Sequence, residues 1–405
     1  MKTPVAQRIQ QLGEYLFAGL DRKKQEAIQA GLDVVDLGVG DPDLPTPSHV
    51  IEALAEAARR PENHQYPSYK GKRALRLAIA EYMKRRFSVD LDPDREIVVL
   101  IGSKEGIAHL SWALIDPDDL VLVPDPAYPV YAATARFCGG HVERMPLLRS
   151  HGFLPDLDEA DRVIRSNEAA RAKLMWLCYP NNPTSATATS SFFERAVTLA
   201  ARHEMVVAND AAYYELYLDG VQPPSILQVR NAKDVAVEFY SLSKTFNMTG
   251  WRVGWAAGNA EVIGALGRVK TNVDSGVFGA VQDAALAALT GDWSHVVALR
   301  KRYARRRDRL MAGLERGGWD AIRPTATFFV LAACPNGMTS IEAVEWLLDR
   351  AGIVATPAVA MGPHGEGFVR FSLTAGDDRI EEAARRLEAM DLTEATRSPR
   401  TVKKP

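Results

Sequence analysis

Short apolar runs recur along the chain, each followed by a polar stretch marked by glycine, proline or a hydroxyl residue. Glu96-Ile-Val-Val-Leu-Ile101, Leu120-Val-Leu-Val-Pro124, Leu174-Met-Trp-Leu-Cys-Tyr179, Met205-Val-Val-Ala-Asn-Asp210 and Asp234-Val-Ala-Val-Glu-Phe-Tyr240 have the length and near-continuous apolarity of buried strands. Segments with apolar residues at helical spacing lie between the runs; Val50 to Arg60 is one, opening behind Thr46-Pro-Ser48. An amphipathic helix ending near Gly31 precedes a short strand from Val34, which runs into a Gly/Pro loop through Gly40 to Pro47. Such a loop either brings backbone close to another group or simply turns. The last third repeats the plan around Thr327-Phe-Phe-Val-Leu and Gly367-Phe-Val-Arg370-Phe-Ser-Leu. Strands alternating with helices predict an α/β sheet with right-handed crossovers and ligand groups at the loop tips.

Composition changes this picture little. At 405 residues the chain suits two domains, and 47% hydrophobic with 25% charged residues is an ordinary globular mixture. A net charge of −2 gives no electrostatic argument for nucleic acid or a membrane surface. The basic run Arg300 to Arg309 lies inside a long helical pattern, and a solvated helix face is expected there. Cys138, Cys178 and Cys334 are isolated, which argues against a disulfide framework or zinc site and for a reducing cytoplasm; no metal is expected. No signal peptide or bilayer-spanning run is expected, and the polar end of the chain reads as a disordered tail.

The polar stretches carry the chemistry. Ser241-Leu-Ser243-Lys244 sits just past a strand end, with Arg252 eight residues on, between Gly250 and Gly254. Partial burial and a nearby cation lower a lysine's pKa and leave its amine free to attack an aldehyde, while the arginine offers a fork of donors for a phosphate. Alone, the stretch also reads as a solvated Ser-Lys loop. Gly102-Ser103-Lys104-Glu105 turns a strand into a helix N-terminus, which is either an anion site or ordinary capping. Tyr128 stands at a strand's carboxyl end, where a ring stacks on a flat ligand. Asp210, at a buried strand end, and Arg370, in mid-strand, are costly charges unless each meets an opposite one.

These positions, in this order, resemble the pyridoxal-phosphate (PLP) aminotransferases of fold type I, whose lysine motif S-x-S-K-x-x-x-x-x-G-x-R-x-G matches Ser241 to Gly254. The resemblance implies a large, mainly parallel PLP-binding domain of the aspartate aminotransferase kind and a smaller α+β domain built from the N-terminal arm and the C-terminal third. It implies that Lys244 binds PLP, that Asp210 pairs with its pyridinium nitrogen, and that Tyr213 and Asn182 hydrogen-bond its phenolic oxygen. Tyr128 is implied to stack on the ring. The backbone N–H groups of Ser103 and Lys104, with Arg252, are implied to hold the phosphate, joined by Tyr66 from a neighbouring subunit of a homodimer, and Ser241 and Ser243 are implied to bind the cofactor. Gly40 and Arg370 fall at the substrate carboxylate, and Asn272 lies where a partner subunit's loop contributes in related enzymes. Expected domain limits are 1–45 for the arm, 46–285 for the large domain, 286–390 for the small one and 391–405 for the tail.

Tyr15-Leu-Phe-Ala, Gly102-Ser-Lys-Glu-Gly-Ile-Ala-His and Tyr179-Pro-Asn-Asn-Pro-Thr, with the lysine segment, look like the bacterial LL-diaminopimelate aminotransferases. That implies transfer between LL-2,6-diaminopimelate and 2-oxoglutarate in lysine synthesis, by a ping-pong mechanism, with Tyr15 and Lys104 near the distal end of the substrate. Two departures bear on this: Ser185 stands where the motif N-P-T-G has glycine, and Pro357 to Gly362 lacks the relatives' Gly and Phe. A serine at a position needing positive φ is costly. Another aminotransferase specificity (alanine, aromatic or methionine) or a PLP lyase or cyclase on the same fold is the alternative; a non-enzymatic sensing role fits less well.

Overall fold

The computed structural model describes residues 5–10, 17–167 and 170–395. The apolar runs assemble into a seven-stranded sheet in the order Ile97–Leu100, Gly254–Gly258, Ala236–Ser241, Val206–Asp210, Ala172–Leu177, Leu120–Asp125 and His141–Pro146. From Ala236–Ser241 to His141–Pro146 every pairing is parallel, and Gly254–Gly258 runs antiparallel to both its neighbours. The runs lack polar alternation because both faces are covered. Ile97 and Val99 belong to one apolar cluster while Val98 and Leu100 belong to another, as the two-residue strand period requires. Helices Arg73–Phe87, Ser190–Arg202 and Gly279–Thr290 pack into the first cluster, and Ser103–Leu114 and Ala260–Val273 into the second.

This topology gathers the polar stretches on one edge. The carboxyl ends of the parallel strands lead to Ser103, Tyr128, Asn182, Asp210 and Lys244, and Gly254–Gly258, running the other way, starts on that edge just behind Arg252. Ligands of open α/β sheets bind at such an edge.

A further apolar cluster draws on Val35, Leu37 and the chain beyond Leu299. It covers a four-stranded antiparallel sheet of Thr356–Pro357, Phe368–Ser372, Phe329–Ala333 and Ala321–Ile322, with helices Ser294–Arg316, Ser340–Ala351 and Asp377–Glu388. Val35–Asp36 pairs in parallel with Ile353–Val354, which fastens the early arm to this C-terminal unit.

The structure departs from the sequence reading in places. Asp234 and Val235 are helical, in Ala232–Val235, and the strand begins at Ala236; the Asp234 N–H closes the turn by donating to the Asn231 carbonyl at 3.0 Å. The basic run on Ser294–Arg316 is largely an ion-pair seam instead of a solvated face. Arg306 and Arg307 have side chains only 3% exposed, held by Asp43 and Asp377 and by Asp219 and Asp308. Helical spacing puts them on the face of buried Tyr303 and Leu310, so the guanidinium groups end inside the protein and need acids there.

Cys178 is buried and Cys138 and Cys334 are half-buried; burial pushes their thiols up to about 12, 11 and 12. Of the expected tail, 391–395 is folded, with the Asn336 amide donating to the Leu392 and Ala395 carbonyls at 2.6 and 3.0 Å, while 396–405 lie outside the described residues. No helix among the described residues is long and apolar enough to cross a membrane.

Candidate active site

Strand Ala236–Ser241 ends in the short helix Leu242–Thr245, in which the Ser241 hydroxyl accepts the Ser243 N–H at 3.1 Å. That turn sends Lys244 into a cavity of about 480 Å³, where its Nζ donates to the Gly40 carbonyl at 2.9 Å. The early Gly/Pro loop therefore makes a close approach instead of a mere turn. The Lys244 ammonium has its pKa lowered to about 8, first by burial and further by Arg252 and Arg370, while Asp41 opposes the shift. About a tenth of this amine is then unprotonated at pH 7, against well under a thousandth for an ordinary lysine.

Asp210 ends the adjacent strand and is 5% exposed. Its Oδ2 accepts from the Tyr131 hydroxyl at 2.7 Å and its Oδ1 from the Ala212 N–H at 3.3 Å. Burial pushes its carboxyl up to about 6, against the pull of the Tyr131 bond. No cation pairs with it among the described residues. Tyr131, held by stacking on Trp176 at 4.9 Å, is a site residue that the sequence reading passed over in favour of Tyr128. Its only signal was its place three residues beyond Tyr128, in the first turn of Val130–Phe137.

Arg370 enters from the antiparallel sheet and lies in the same wall. It donates to Asn182 Oδ1 at 2.8 Å, to the Gly38 carbonyl at 2.9 Å and to Thr356 Oγ1 at 3.1 Å, and its guanidinium covers the Phe329 ring at 4.2 Å. Its Nε is buried without a hydrogen-bond partner, and no carboxylate pairs with it among the described residues. Burial lowers its pKa to about 10, with Tyr213 opposing. Because an arginine only donates, Asn182 must turn its oxygen toward Arg370, which leaves the amide N–H₂ as what it offers a ligand. Tyr213 stands edge-on to Phe328 and Phe329, at 5.3 and 5.5 Å.

At the other end of the cavity, Gly102 caps Ser103–Leu114 with φ of +73°. A Cβ there would fall 2.2 Å from Arg252 Nη2, so glycine lets the guanidinium lie directly on the turn. Ser103, Lys104, Ser241, Ser243, Thr249 and Arg252 surround this end. A helix N-terminus, hydroxyls and a guanidinium at one place fit a phosphate. Tyr128 also lines the cavity, with Lys104 Nζ 5.8 Å from its ring.

Other expected residues stand apart. Tyr66 is 89% exposed and outside the cavity wall. Asn272 is exposed near the end of Ala260–Val273, its amide donating to the Arg268 carbonyl at 2.8 Å. Tyr15 lies outside the described residues.

Ser185 has φ of +60°, the conformation that its replacement of glycine put in question. Its hydroxyl bonds Thr327 Oγ1 at 2.6 Å and donates to the Phe329 carbonyl at 2.8 Å, so the loop carrying Asn182 is tied to the strand whose Phe329 underlies Arg370. Left-handed backbone costs an L-residue about 1–2 kcal/mol, and a buried polar pair left half-made costs about 1–3 kcal/mol. Ser185→Ala keeps the strain and loses the hydroxyl; Ser185→Gly loses both. Denaturant unfolding should therefore rank the alanine variant below glycine, with wild type above alanine by about 1–3 kcal/mol. An alanine variant as stable as wild type would show that the hydroxyl does not hold this joint.

Comparison with known proteins agrees with this geometry. The family model "Aminotransferase class I and II" matches residues 32–387. The LL-diaminopimelate aminotransferase of Aquifex aeolicus (strain VF5) is 52% identical over 385 residues, covering 95% of this chain and 98% of that protein. The protein of the same name from Moorella thermoacetica (strain ATCC 39073 / JCM 9320) is 50% identical over 382 residues, covering 94% and 97%. Among solved structures, substrate-bound BacF from Bacillus subtilis superposes with a TM-score of 0.90 at 36% identity, covering 96% of this chain and 98% of that one. A match over nearly all the chain, joined to a half-buried lysine and a buried acid and arginine lining one cavity, settles the family: the chain belongs to the class I and II aminotransferases.

Proposed function

We propose that this aminotransferase carries its amino group on pyridoxal 5′-phosphate, exchanges LL-2,6-diaminopimelate and 2-oxoglutarate with tetrahydrodipicolinate and glutamate, and works as a homodimer. The observation that carries the reading is the pair of buried charges in one cavity. Among the described residues Asp210 lacks a cation and Arg370 lacks an anion, and each costs the fold free energy until a ligand supplies it. A protonated pyridine ring and a substrate carboxylate are those two ligands, and the bare Gly102 turn under Arg252 suits the phosphate. The substrate is proposed from the near 50% identity to proteins bearing that name.

When bound, PLP supplies an aldehyde and an electron-withdrawing ring that acidifies the substrate Cα–H. The residues around it then divide the work. Lys244 Nζ, whose lowered pKa makes the free amine accessible, would be the covalent anchor and afterwards the base that takes the Cα proton and returns it two atoms away, across the nitrogen. Asp210 keeps the ring nitrogen protonated, and Tyr131 keeps the Asp210 carboxylate oriented. Asn182 and Tyr213 donate to the ring oxygen, and Tyr128 packs on the ring. Ser103, Lys104, Ser241, Ser243 and Arg252 hold the phosphate. Arg370 binds the α-carboxylate beside Gly40, with Lys104 and Tyr15 toward the far end of the substrate. Tyr66, with Tyr69 43% and Phe278 44% exposed, supports a dimer in which Tyr66 and the Asn272 loop serve the partner's site.

The test is the half-reaction. PLP-loaded protein is mixed separately with LL-diaminopimelate, the meso isomer, glutamate, alanine and aromatic amino acids, and the loss of the bound aldehyde's absorbance is followed. Rapid conversion by the LL isomer and glutamate alone is expected. Preference for alanine or aromatic donors would overturn the substrate assignment, and release of ammonia without conversion would point to a lyase.

A further inference from the structure

Lys270 is completely buried, on a helix that does not reach the cavity. Its ammonium joins two acids from different elements. It donates to Glu105 Oε1 at 3.0 Å, in the first turn of Ser103–Leu114, and to both oxygens of Asp274 at 3.2 and 3.1 Å. Glu105 uses its other oxygen to accept the Ile101 N–H at 2.9 Å, which spans the Gly102 turn from behind. Asp274 accepts the Gly276 N–H at 2.7 Å, and a Cβ on Gly276 would lie 3.2 Å from the Ser68 carbonyl. The His109 ring nitrogen Nδ1 lies beside Glu105 Oε1, and its ring stacks on Trp112 at 5.4 Å. One buried cation therefore connects the helix start at the phosphate end of the cavity with the loop beside 66–71.

We infer that Lys270, Glu105 and Asp274 form a positioning network that sets the backbone N–H groups of Ser103 and Lys104 for the cofactor phosphate and registers them against the loop carrying Tyr66. The inference rests on the PLP reading above. None of the three lines the cavity, so they act through the Gly102 turn. A buried ammonium between two carboxylates holds its elements in one arrangement, because any shift leaves a charge unpaired. The turn thereby keeps its N–H groups converged on an anion whether or not one is bound.

The test separates the phosphate from the rest of the cofactor. Dissociation constants for PLP and for pyridoxal, which lacks the phosphate, are measured by spectral titration of the cofactor-stripped full chain, as wild type and as Glu105→Gln. The glutamine variant is expected to bind PLP about tenfold more weakly, the scale of one charge-assisted hydrogen bond, with pyridoxal affinity within twofold of wild type. Lys270→Met alone would leave two carboxylates facing each other, so the charge-free Lys270→Met, Glu105→Gln, Asp274→Asn chain serves as the second variant and should show the same selective loss. Equal weakening of PLP and pyridoxal in both variants would overturn the inference in favour of a general packing role, as would no weakening. Failure of the wild-type chain to bind PLP would instead overturn the cofactor reading.

Discussion

Lys244→Ala is expected to lower amino-transfer turnover by about 10⁴-fold, the upper end of what a positioned acid–base group contributes, while the variant still folds and binds PLP. Retained binding follows from the number of independent contacts. The phosphate end, the Asp210 carboxylate and the Asn182 amide are untouched by removing one side chain whose described bond is to the Gly40 carbonyl. Lost turnover follows from the pKa. An ordinary lysine is protonated almost entirely at neutrality and is a poor nucleophile and base. Here burial, then Arg252 and Arg370, bring the value to about 8, so a usable amine stands in the cavity. Lys244→Arg should be as inactive as alanine, because the guanidinium keeps a charge at this position but holds its proton. Single-turnover absorbance with saturating PLP and LL-diaminopimelate checks both variants. Turnover in the alanine variant within tenfold of wild type would remove Lys244 from the chemistry. The wild-type rate for the cofactor-free protein binding PLP should rise with pH through about 8, as the amine loses its proton.

What the sequence made legible, and what it hid, follows from the reach of each signal. The central strands were readable because strands covered on both faces are uniformly apolar, and the polar residue ending each one marks the ligand edge. Ser103, Tyr128, Asn182, Asp210 and Lys244 were accordingly found at that edge. Contacts made across the chain were not readable. Thr356 reaches the Arg370 guanidinium because Thr356 pairs with Arg370 across two antiparallel strands, a register no local pattern encodes. Tyr131 and Tyr128 are equivalent as aromatic residues behind a strand, and only the helix beginning at Val130 decides which hydroxyl meets Asp210. Arg306 and Arg307 looked solvated because a basic run reveals charge but not the acids that will face it; those acids sit at 43, 219 and 377. The Ser185 departure was visible, but its remedy was not, since the partner hydroxyl belongs to Thr327, itself at φ of +64°.

Asp210→Asn is expected to make the cofactor-free protein more stable above neutrality while reducing turnover about 10³-fold, the scale on which a buried charge acts on developing charge in a transition state. The two effects share one cause. The Asp210 carboxyl is pushed up to about 6 by burial, from 3.8 for an unperturbed aspartate. Between those values the folded chain binds more protons at this site than the unfolded chain, so stability falls as pH rises from about 4 to about 6, by about 3 kcal/mol in total. Above pH 6 the folded protein holds a buried carboxylate that, among the described residues, has only the Tyr131 hydroxyl and the Ala212 N–H against it. Asparagine's oxygen can accept the Ala212 N–H while its N–H₂ donates to the Tyr131 hydroxyl, which turns to accept it, so both contacts persist without the charge and the variant keeps the stability that wild type loses. At pH 4.5 the difference should shrink, because wild type is then mostly protonated in the fold. Adding PLP should narrow or reverse the order at pH 8, since a pyridinium N–H meets a carboxylate in wild type and only a neutral amide in the variant. Thermal melts of both cofactor-free proteins at pH 4.5 and 8, repeated with PLP, measure the stability arm, and steady-state transamination measures the other. A wild type at least as stable as the variant at pH 8 without cofactor would mean that the fold already neutralises Asp210, and near-normal turnover in the variant would mean that the ring nitrogen has another partner.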